Sequence, residues 1–320
     1  MLNLNSAAVV FLVSAALQSG TVSAQNYPNR PIRILTSEAG GGSDSAARTI
    51  AQGLGVSLGQ QVVVENRGGG VIAGEIVSRA SPDGYTLLYY GNTLWILPLL
   101  RKNIPYDTVK DFAPVTWAVS QFSVLVVHPS LPVKSVKDLI ALAKARPGLL
   151  NYGSGASGGS NHLAAELFKS MAGVDIVRIP FKSTGPANNA LMGGEIQMMF
   201  TAGATVMPHV KSRKLRALAI SAARPSAVFP DLPTISNAGL PGFETAQISG
   251  MFAPVKTPAA IVDRLHQEIA RVLERQDVKD KFANFGVEAV GGSPDQFAAT
   301  IKSEMSRMGK VIRDAGIRDE

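Results

Sequence analysis

Two turns rich in glycine and serine contain the residue types and spacing best suited to binding an anion. One comprises residues 37–44 (SEAGGGSD) and the other residues 153–162 (GSGASGGSNH). Each follows a short apolar run and precedes a helical pattern, so backbone N–H groups and the positive end of a helix dipole point into the turn. Glycine also lets the backbone approach a ligand closely. Together the turns predict that one small anion, a carboxylate, is held between two lobes.

Short apolar runs alternate with helical patterns along the chain, which predicts an α/β fold with largely parallel sheets. The predicted strands cover residues 32–36, 62–65, 86–90, 124–127, 177–180, 198–200 and 218–220. The predicted helices cover residues 45–58, 71–79, 135–145, 160–172, 186–193 and 258–276. A short helix, a strand and a closing helix follow over residues 277–285, 287–290 and 294–315. The extended segments 124–127 and 251–254 lead into proline-rich turns, so we interpret them as crossings between the lobes.

The first residues indicate export. Residues 7–17 form an apolar stretch that is shorter than the ~20 residues a membrane-spanning helix needs. A site of small residues follows and ends at Ala24, which predicts a signal peptide over residues 1–24. The segment departs from the usual pattern because no lysine or arginine precedes Ala7, so only the amino terminus supplies positive charge.

The composition argues against several classes of function. The 320 residues include no cysteine, which removes thiolate metal sites and cysteine nucleophiles, and the four histidines are far apart. We therefore expect no metal site and no cofactor. The formal net charge is +7, but the basic residues are scattered and their densest cluster, residues 211–216, lacks interleaved aromatic residues. Nucleic acid is not an expected partner.

The second turn also matches two enzyme motifs. Residues 153–158 fit the dinucleotide-binding pattern G-x-G-x-x-G, but the acid that should end the next strand instead precedes it, as Asp175. Residues 155–159 fit G-x-S-x-G, the nucleophile motif of hydrolases. Ser157 would then be the nucleophile of an exported esterase, with Asp231 and His266 as partners. His266 falls inside a predicted helix rather than on a loop, so the esterase stays the alternative interpretation.

Nine blocks of sequence, in order, resemble the solute-binding proteins of the tripartite tricarboxylate transporter family, also called Bug proteins. The resemblance covers nearly the whole mature chain. The matching blocks are residues 27–32 (YPNRPI), 40–44 (GGGSD), 62–67 (VVVENR), 81–88 (SPDGYTLL), 105–115 (PYD and DFAPV), 149–154 (LLNYGS), 162–164 (HLA), 179–182 (IPFK) and 239–243 (GLPGF).

The resemblance implies a two-lobed, periplasmic-binding-protein-like α/β fold of type II, in which each lobe is a mixed sheet flanked by helices. We expect residues 25–124 and 253–297 in one lobe, and residues 125–252 and 298–320 in the other. Such a protein is not an enzyme. It is a monomer in the periplasm that captures a small organic carboxylate and delivers it to membrane permease subunits. A ligand-presenting partner of a sensor protein stays open as a further interpretation.

The resemblance also implies which residues bind the ligand. In the family, the two glycine-rich turns hold one carboxylate through backbone N–H groups, hydroxyl groups and bridging water. Loops after other strands shape the far end of the pocket. Carried over to this chain, the ligand-binding residues are Gly41, Gly42, Ser43, Asp44, Ser154, Gly155, Ala156 and Ser157 in the turns, and Thr93, Lys182 and Thr201 at the far end.

Three departures from the family pattern concern the ligand. Glu38 stands near a position where the family has an aromatic residue or proline, and a carboxylate beside an anion site weakens binding unless it meets a cationic or hydroxyl group of the ligand. Thr201 replaces an aspartate that can bind a ligand amine, which argues against an amino acid ligand. Residues 247–250 lack the usual aromatic residues. Monocarboxylates, dicarboxylates, citrate-like acids and aromatic acids all stay open.

Overall fold

The structure is a computed structural model that describes residues 27–68, 71–155 and 157–318. The predicted signal peptide, residues 1–24, and the predicted ligand-binding residue Ala156 lie outside the described residues. None of the described helices combines the length and the apolar character that a membrane-spanning helix needs.

The described residues form ten strands and eleven helices. The strands are β1 (Ile32–Thr36), β2 (Val62–Asn66), β3 (Thr86–Gly91), β4 (Phe112–Val127), β5 (Asn151–Ser154), β6 (Val177–Pro180), β7 (Met198–Ala202), β8 (Arg216–Ile220), β9 (Ala246–Pro254) and β10 (Val287–Gly292). The helices are α1 (Gly42–Leu58), α2 (Ile72–Ser78), α3 (Thr93–Leu100), α4 (Val136–Ala145), α5 (Ser160–Ala172), α6 (Thr184–Met192), α7 (Gly203–Lys211), α8 (Ile235–Ala238), α9 (Ala259–Glu274), α10 (Gln276–Asn284) and α11 (Pro294–Asp314).

The strands form two mixed sheets that share β4. In the first sheet the order is β2-β1-β3-β9-β4-β10, with β1 parallel to β2 and β3. In the second, β5 is parallel to β6 and β7, and β4 pairs antiparallel with β7 and β8. The predicted α/β class with mixed sheets and flanking helices is confirmed. The sheets are less parallel than the alternation of strands and helices suggested, because β4, β9 and β10 add antiparallel pairs.

Strand β4 passes from one sheet into the other without a break. Residues 112–122 pair with β9 in the first sheet, and residues 123–127 pair with β7 and β8 in the second. The predicted crossing at residues 124–127 is therefore the end of a much longer strand. Among the described strands β9 pairs only with β3 and β4 in the first sheet, whereas the sequence-based division assigned residues 246–252 to the second lobe. The exact lobe boundaries stay a proposal.

Helix α11 connects the two sheets. It begins with a capping box between Ser293 and Gln296 and packs against β4, α3 and α5. Phe297 of this helix contacts Phe252 of β9, with ring centroids 4.9 Å apart. Gly250 allows this approach, because a Cβ atom there would lie 2.3 Å from the Thr116 carbonyl oxygen and 2.5 Å from the Phe297 ring. The largest hydrophobic cluster is continuous across both sheets for this reason.

Helix α3 contains Pro98, which lacks the N–H group that would bond the carbonyl of Leu94. Thr108 donates its hydroxyl to that carbonyl at 2.7 Å. The donor that takes the place of the missing N–H group is therefore a side-chain hydroxyl from the loop after the helix. This contact keeps α3 helical despite the proline, and α3 supplies part of the wall of the cleft described below.

Candidate functional site

Both glycine-rich turns line one cleft of about 890 Å³. Gly41, Gly42 and Ser43 line it from the turn between β1 and α1, and Gly155 and Ser157 from the turn between β5 and α5. Gly41 and Gly159 are the N-cap residues of α1 and α5, and neither helix has a side-chain cap. The first N–H groups of both helices therefore have no intrahelical partner and remain available to an anion.

In each turn, a glycine N–H group donates a hydrogen bond to a side chain four residues downstream. The Gly40 N–H donates to Asp44 Oδ2 at 2.9 Å, and the Gly158 N–H donates to His162 Nδ1 at 3.1 Å. Gly40 and Gly158 have φ values of 81° and 72°, in the left-handed region that favours glycine. These two hydrogen bonds hold the backbone of both turns in one conformation. That conformation orients the N–H groups of the turns that take no part in the two bonds.

Asp44 is buried behind the first turn rather than in the cleft. Its Oδ1 accepts a bond of 2.9 Å from Asn66 and pairs with Arg48 at 2.9 Å. Although burial by itself raises the pKa of Asp44, the bonds from Gly40 and Asn66 and the Arg48 charge lower it below the usual value. Asp44 is therefore ionised at neutral pH and positions the turn.

His162 supports the second turn as a neutral base. It is 5% exposed, and burial, followed by the charge of Arg178, lowers the pKa of His162 to about 4. Because Nδ1 accepts the N–H of Gly158, that nitrogen is unprotonated. Protonation of Nδ1 would abolish the bond.

Arg178, which the sequence analysis did not select, holds the second turn from β6. Its Nε donates to Ser154 Oγ at 2.8 Å, one terminal nitrogen donates to Ser157 Oγ at 3.1 Å, and the other donates to the Gly155 carbonyl at 3.0 Å. Among the described residues, no carboxylate forms an ion pair with Arg178. Arg178 does not line the cleft, so its positive charge lies behind the second turn. The sequence signal was a cation inside a short strand that pairs with β5.

The predicted ligand-binding residues occupy different positions relative to the cleft. Thr93, the first residue of α3, lines it, as do the five residues of the turns named above. Ser154 is fully buried beneath the second turn and does not line the cleft. Lys182 is exposed on the loop after β6 and does not line the cleft, whereas Thr184, the first residue of α6, does. Thr201 is fully buried in β7 and also lies outside the lining.

Asn92 anchors the strand that crosses the cleft. Its Oδ1 accepts the N–H of Ile248 at 2.5 Å, and its Nδ2 donates to the Ala246 carbonyl at 3.1 Å. These bonds fix the start of β9, whose residues Gln247 and Ser249 line the cleft. A single amide side chain therefore sets the position of this polar wall.

Two ionisable groups also line the cleft, Glu38 from the first turn and Tyr90 from β3. Burial, together with the nearby charge of Glu38, raises the pKa of Tyr90 to about 12. The Tyr90 hydroxyl is therefore neutral at physiological pH and can donate a hydrogen bond.

An apolar part of the wall comes from α3, α5 and α11. Leu100 of α3 lies so close to the second turn that a Cβ atom at Gly158 would be 2.5 Å from its Cδ1. The positive φ of Gly158 favours glycine at this position, and any other residue would also displace the Leu100 side chain. The other apolar lining residues of these helices are Ile96, Leu97, Leu163, Ala164 and Met308.

The site lacks the geometry of a serine hydrolase. Ser157 Oγ accepts a hydrogen bond from Arg178. His266 lies on α9, with its Nδ1 3.0 Å from Thr116 Oγ1. His162 uses Nδ1 for the Gly158 N–H. The described residues therefore pair no histidine with Ser157. They also include no group of three or more His, Cys, Asp or Glu that could hold a metal ion.

Comparisons with known proteins show the family to which the chain belongs. Residues 46–317 match the model of the tripartite tricarboxylate transporter family receptor. The chain is 36% identical over 314 residues to protein BugT of Bordetella pertussis (strain Tohama I), covering 97% of this chain and 96% of BugT.

Two solved structures are similar in both sequence and fold. Rpa4515 of R. palustris with adipate has a TM-score of 0.73 and 35% identity, covering 91% of this chain and 99% of that one. MatC (Rpa3494) from Rhodopseudomonas palustris with bound malate has a TM-score of 0.69 and 29% identity, covering 89% and 100%. The resemblance seen in the sequence is confirmed. The chain belongs to the tripartite tricarboxylate transporter receptor family, as a solute-binding receptor rather than an enzyme.

Proposed function

We propose that this receptor captures a small organic carboxylate between its two glycine-rich turns and delivers it to permease subunits of a tripartite-type transporter. The observation that carries the proposal is that two helices without side-chain caps, α1 and α5, begin at the same cleft. Each contributes free N–H groups and the positive end of its dipole. The charge of Arg178 behind the second turn adds to the attraction.

The energetics are consistent with reversible capture. A carboxylate that leaves water loses several kcal/mol of hydration free energy, and charge-assisted hydrogen bonds of about 1.5–3 kcal/mol each offset that loss. Roughly four such donors, together with closure of the lobes on the ligand, suit a binding free energy near 8 kcal/mol, which corresponds to micromolar affinity. Such affinity suits a receptor that must also release its ligand.

We assign direct ligand contacts to the N–H groups and hydroxyls of Gly41, Gly42, Ser43, Gly155 and Ser157, with Thr93 along the cleft. Asp44 and Ser154 act behind the turns as positioning residues. Lys182 and Thr201 are not assigned to the ligand because neither lines the cleft. The acids bound by Rpa4515 and MatC, adipate and malate, support a carboxylate as the ligand class.

We further propose that the protein is a periplasmic monomer, exported by a signal peptide that is cleaved after Ala24. The small-residue site in the sequence supports this position. Mass spectrometry of the exported protein tests the cleavage site. Light scattering with and without ligand tests the monomer.

A panel of organic acids tests the function. Isothermal titration of the mature protein against mono-, di- and tricarboxylates, with methyl esters or amides of the same acids as controls, measures whether a carboxylate is required. We expect micromolar binding of at least one acid, a raised melting temperature, and no binding of the matched ester. Equal binding of an acid and its ester would contradict an anion site. Turnover of a generic ester, lost on Ser157→Ala, would instead favour the esterase.

A further inference from the structure

One wall of the cleft carries a buried acid that no part of the proposed carboxylate capture uses. Glu304 of α11 lines the cleft and is 3% exposed. Its Oε1 accepts a hydrogen bond from Arg307 of the same helix. Its Oε2 accepts no hydrogen bond from the described residues. One oxygen of this carboxylate is therefore available to a ligand.

The charges around Glu304 do not cancel. Arg307 pairs with Glu304 and also lies 3.7 Å from the carboxylate of Glu244. Two carboxylates beside one guanidinium leave a net charge of about −1 at this wall. Burial, opposed by the charge of Arg307, raises the pKa of Glu304 above its usual value. The charge on Glu304 is thus poorly solvated, and a hydrogen-bond donor would stabilise it.

The glycine-rich turns have the opposite polarity. The first turns of α1 and α5 present the positive ends of their dipoles to the cleft, and Arg178 lies behind the second turn. Arg307 borders a small surface depression together with Leu167, which lies seven residues into α5. At about 1.5 Å per residue, Leu167 lies on the order of 10 Å along α5 from its start, which gives the scale of the separation. The lining of the cleft also contains the apolar side chains of Leu97, Leu100 and Met308.

We infer that Glu304 is a specificity-determining residue, selecting acids with one carboxylate, an apolar body, and a hydroxyl or ammonium group that donates to its Oε2. A second carboxylate at that position would lie beside a wall that is already negative, so dicarboxylates bind more weakly. This inference rests on the proposed function, because it assumes that the first carboxylate occupies the glycine-rich turns. It adds the chemical class of the other end of the ligand.

Matched ligands test the inference on the native mature protein. The panel is 6-hydroxyhexanoate, 6-aminohexanoate, hexanoate and adipate, together with the four-carbon set 4-hydroxybutyrate, 4-aminobutyrate, butyrate and succinate. Within the set that binds, we expect the better donor-terminated acid to bind about tenfold or more tightly than the diacid by isothermal titration. The hydroxyl and ammonium arms identify which donor is preferred. A diacid that binds as tightly as, or more tightly than, both donor-terminated acids overturns the inference.

Glu304→Gln tests the residue itself. The amide keeps the shape and the acceptor for Arg307 but removes the negative charge. The dissociation constant of the diacid, divided by that of the better donor-terminated acid, should fall to about threefold or less. Glu244→Gln is the matched control, because it removes one negative charge from the same guanidinium without lining the cleft and leaves Oε2 of Glu304 in place, so the ratio should fall clearly less than in Glu304→Gln. Melting curves establish that both variants are folded.

The outcomes separate the inference from the function. An unchanged ratio in a folded Glu304→Gln variant overturns the role of Glu304, as does an equal fall in the Glu244→Gln variant. In both cases carboxylate binding persists and the proposed function stands. Should Glu304→Gln fail to fold, the order of affinities in the native protein still decides. Failure of every acid in this panel and in the wider acid panel would overturn the proposed function as well.

Discussion

The two glycine-rich turns share one design but differ in the charge that supports them. In both, the N–H of a glycine with positive φ bonds a side chain four residues downstream. An ionised Asp44, paired with Arg48, supports the first turn. A neutral His162 and the cation Arg178 support the second. The first turn is therefore held by a neutralised charge, whereas the second also attracts an anion electrostatically.

This difference assigns distinct tasks to the two halves of the cleft. The first turn presents its N–H groups from a structure in which the charge of Asp44 is paired with that of Arg48. The second presents N–H groups in front of a guanidinium that has no carboxylate partner among the described residues. The approach of a charged ligand should depend mainly on the second turn, and final geometry on both. Four experiments test this comparison.

The largest effect on carboxylate binding is expected when a side chain is introduced into the first turn. A Cβ atom at Gly42 meets nothing within 4 Å, so the fold accepts a side chain there while the ligand does not. Gly42→Leu should weaken carboxylate binding by about 100-fold or more, because at least two charge-assisted hydrogen bonds of about 1.5–3 kcal/mol each are lost. Gly185→Leu is the matched control, since Gly185 has equally open surroundings but does not line the cleft. Native affinity in a folded Gly42→Leu variant would remove the first turn from the site.

Removing the guanidinium from the second turn should have the next largest effect. Arg178→Met should weaken binding by about 10- to 50-fold and reduce the dependence of binding on salt, because both a charge and the brace of the turn are lost. It should also lower the melting temperature, since Ser154 Oγ loses its donor. Arg178→Lys should restore the charge but not the three-point contact, and so recover only part of the affinity. A purely structural role predicts a native salt dependence in Arg178→Met for whatever binding remains.

The pH dependence of stability should distinguish Asp44, which supports the first turn, from His162, which supports the second. The folded pKa of His162 is about 4, below the ordinary value near 6.5. The unfolded chain therefore binds more protons between these values, and stability must fall as the pH falls from about 6.5 to 4. Asp44 keeps its contribution above its ordinary pKa and loses it only as the pH falls through its lowered folded value.

His162→Asn tests this assignment, because the amide oxygen can replace Nδ1 as the acceptor but does not titrate. The fall in melting temperature between pH 6.5 and pH 4 should become shallower by a few degrees, with binding at neutral pH retained within about threefold. His266 has a lowered pKa for the same reason, burial, so His266→Asn serves as the control that changes stability without changing the turn. If the melting temperature of His162→Asn depends on pH as steeply as that of the native protein, the role of His162 as a neutral acceptor for the second turn is contradicted.

The smallest effects are expected outside the lining of the cleft. Lys182→Met should change carboxylate affinity by less than about twofold, because exposed charges a few residues from a site are screened. Thr201→Val should likewise have little effect on carboxylate affinity. It should keep or raise stability by about 1 kcal/mol, since Thr201 Oγ1 is buried without a hydrogen-bond partner among the described residues. A loss of about tenfold in either variant would return that residue to the ligand site.

The sequence predicted those parts of the fold and cleft that depend on local chemistry. Glycine and serine between an apolar run and a helical pattern identified both turns, and α5 begins and ends where its pattern predicted. Residues 93–100 were not predicted as a helix because Pro98 contradicts local propensity. The bond from Thr108 that compensates for Pro98 joins residues 14 positions apart and has no local signature.

The supports behind the turns could not be predicted for the same reason. Arg178 lies 21 to 24 residues from the atoms it holds, and only the pairing of β5 with β6 places it there. Glu304 is still more remote from the turns in sequence, on the closing helix. By contrast, Asp44 and Ser154 were selected for the right turns, but burial could not be read from residue type. Both lie beneath the surface that they support.

The continuous strand β4 limits how the cleft can change shape. Its ladder with β9 ends at residue 122 and its pairing with β7 begins at residue 123, while α11 packs against β4, α3 and α5 across this junction. Bending near residue 123 must also shift the contacts of α11, so the junction has greater flexural stiffness than a pair of single-chain linkers. The span between the glycine-rich turns is then set chiefly by the backbone, and acids of different length must be accommodated by exchanging side chains on α3 and α11.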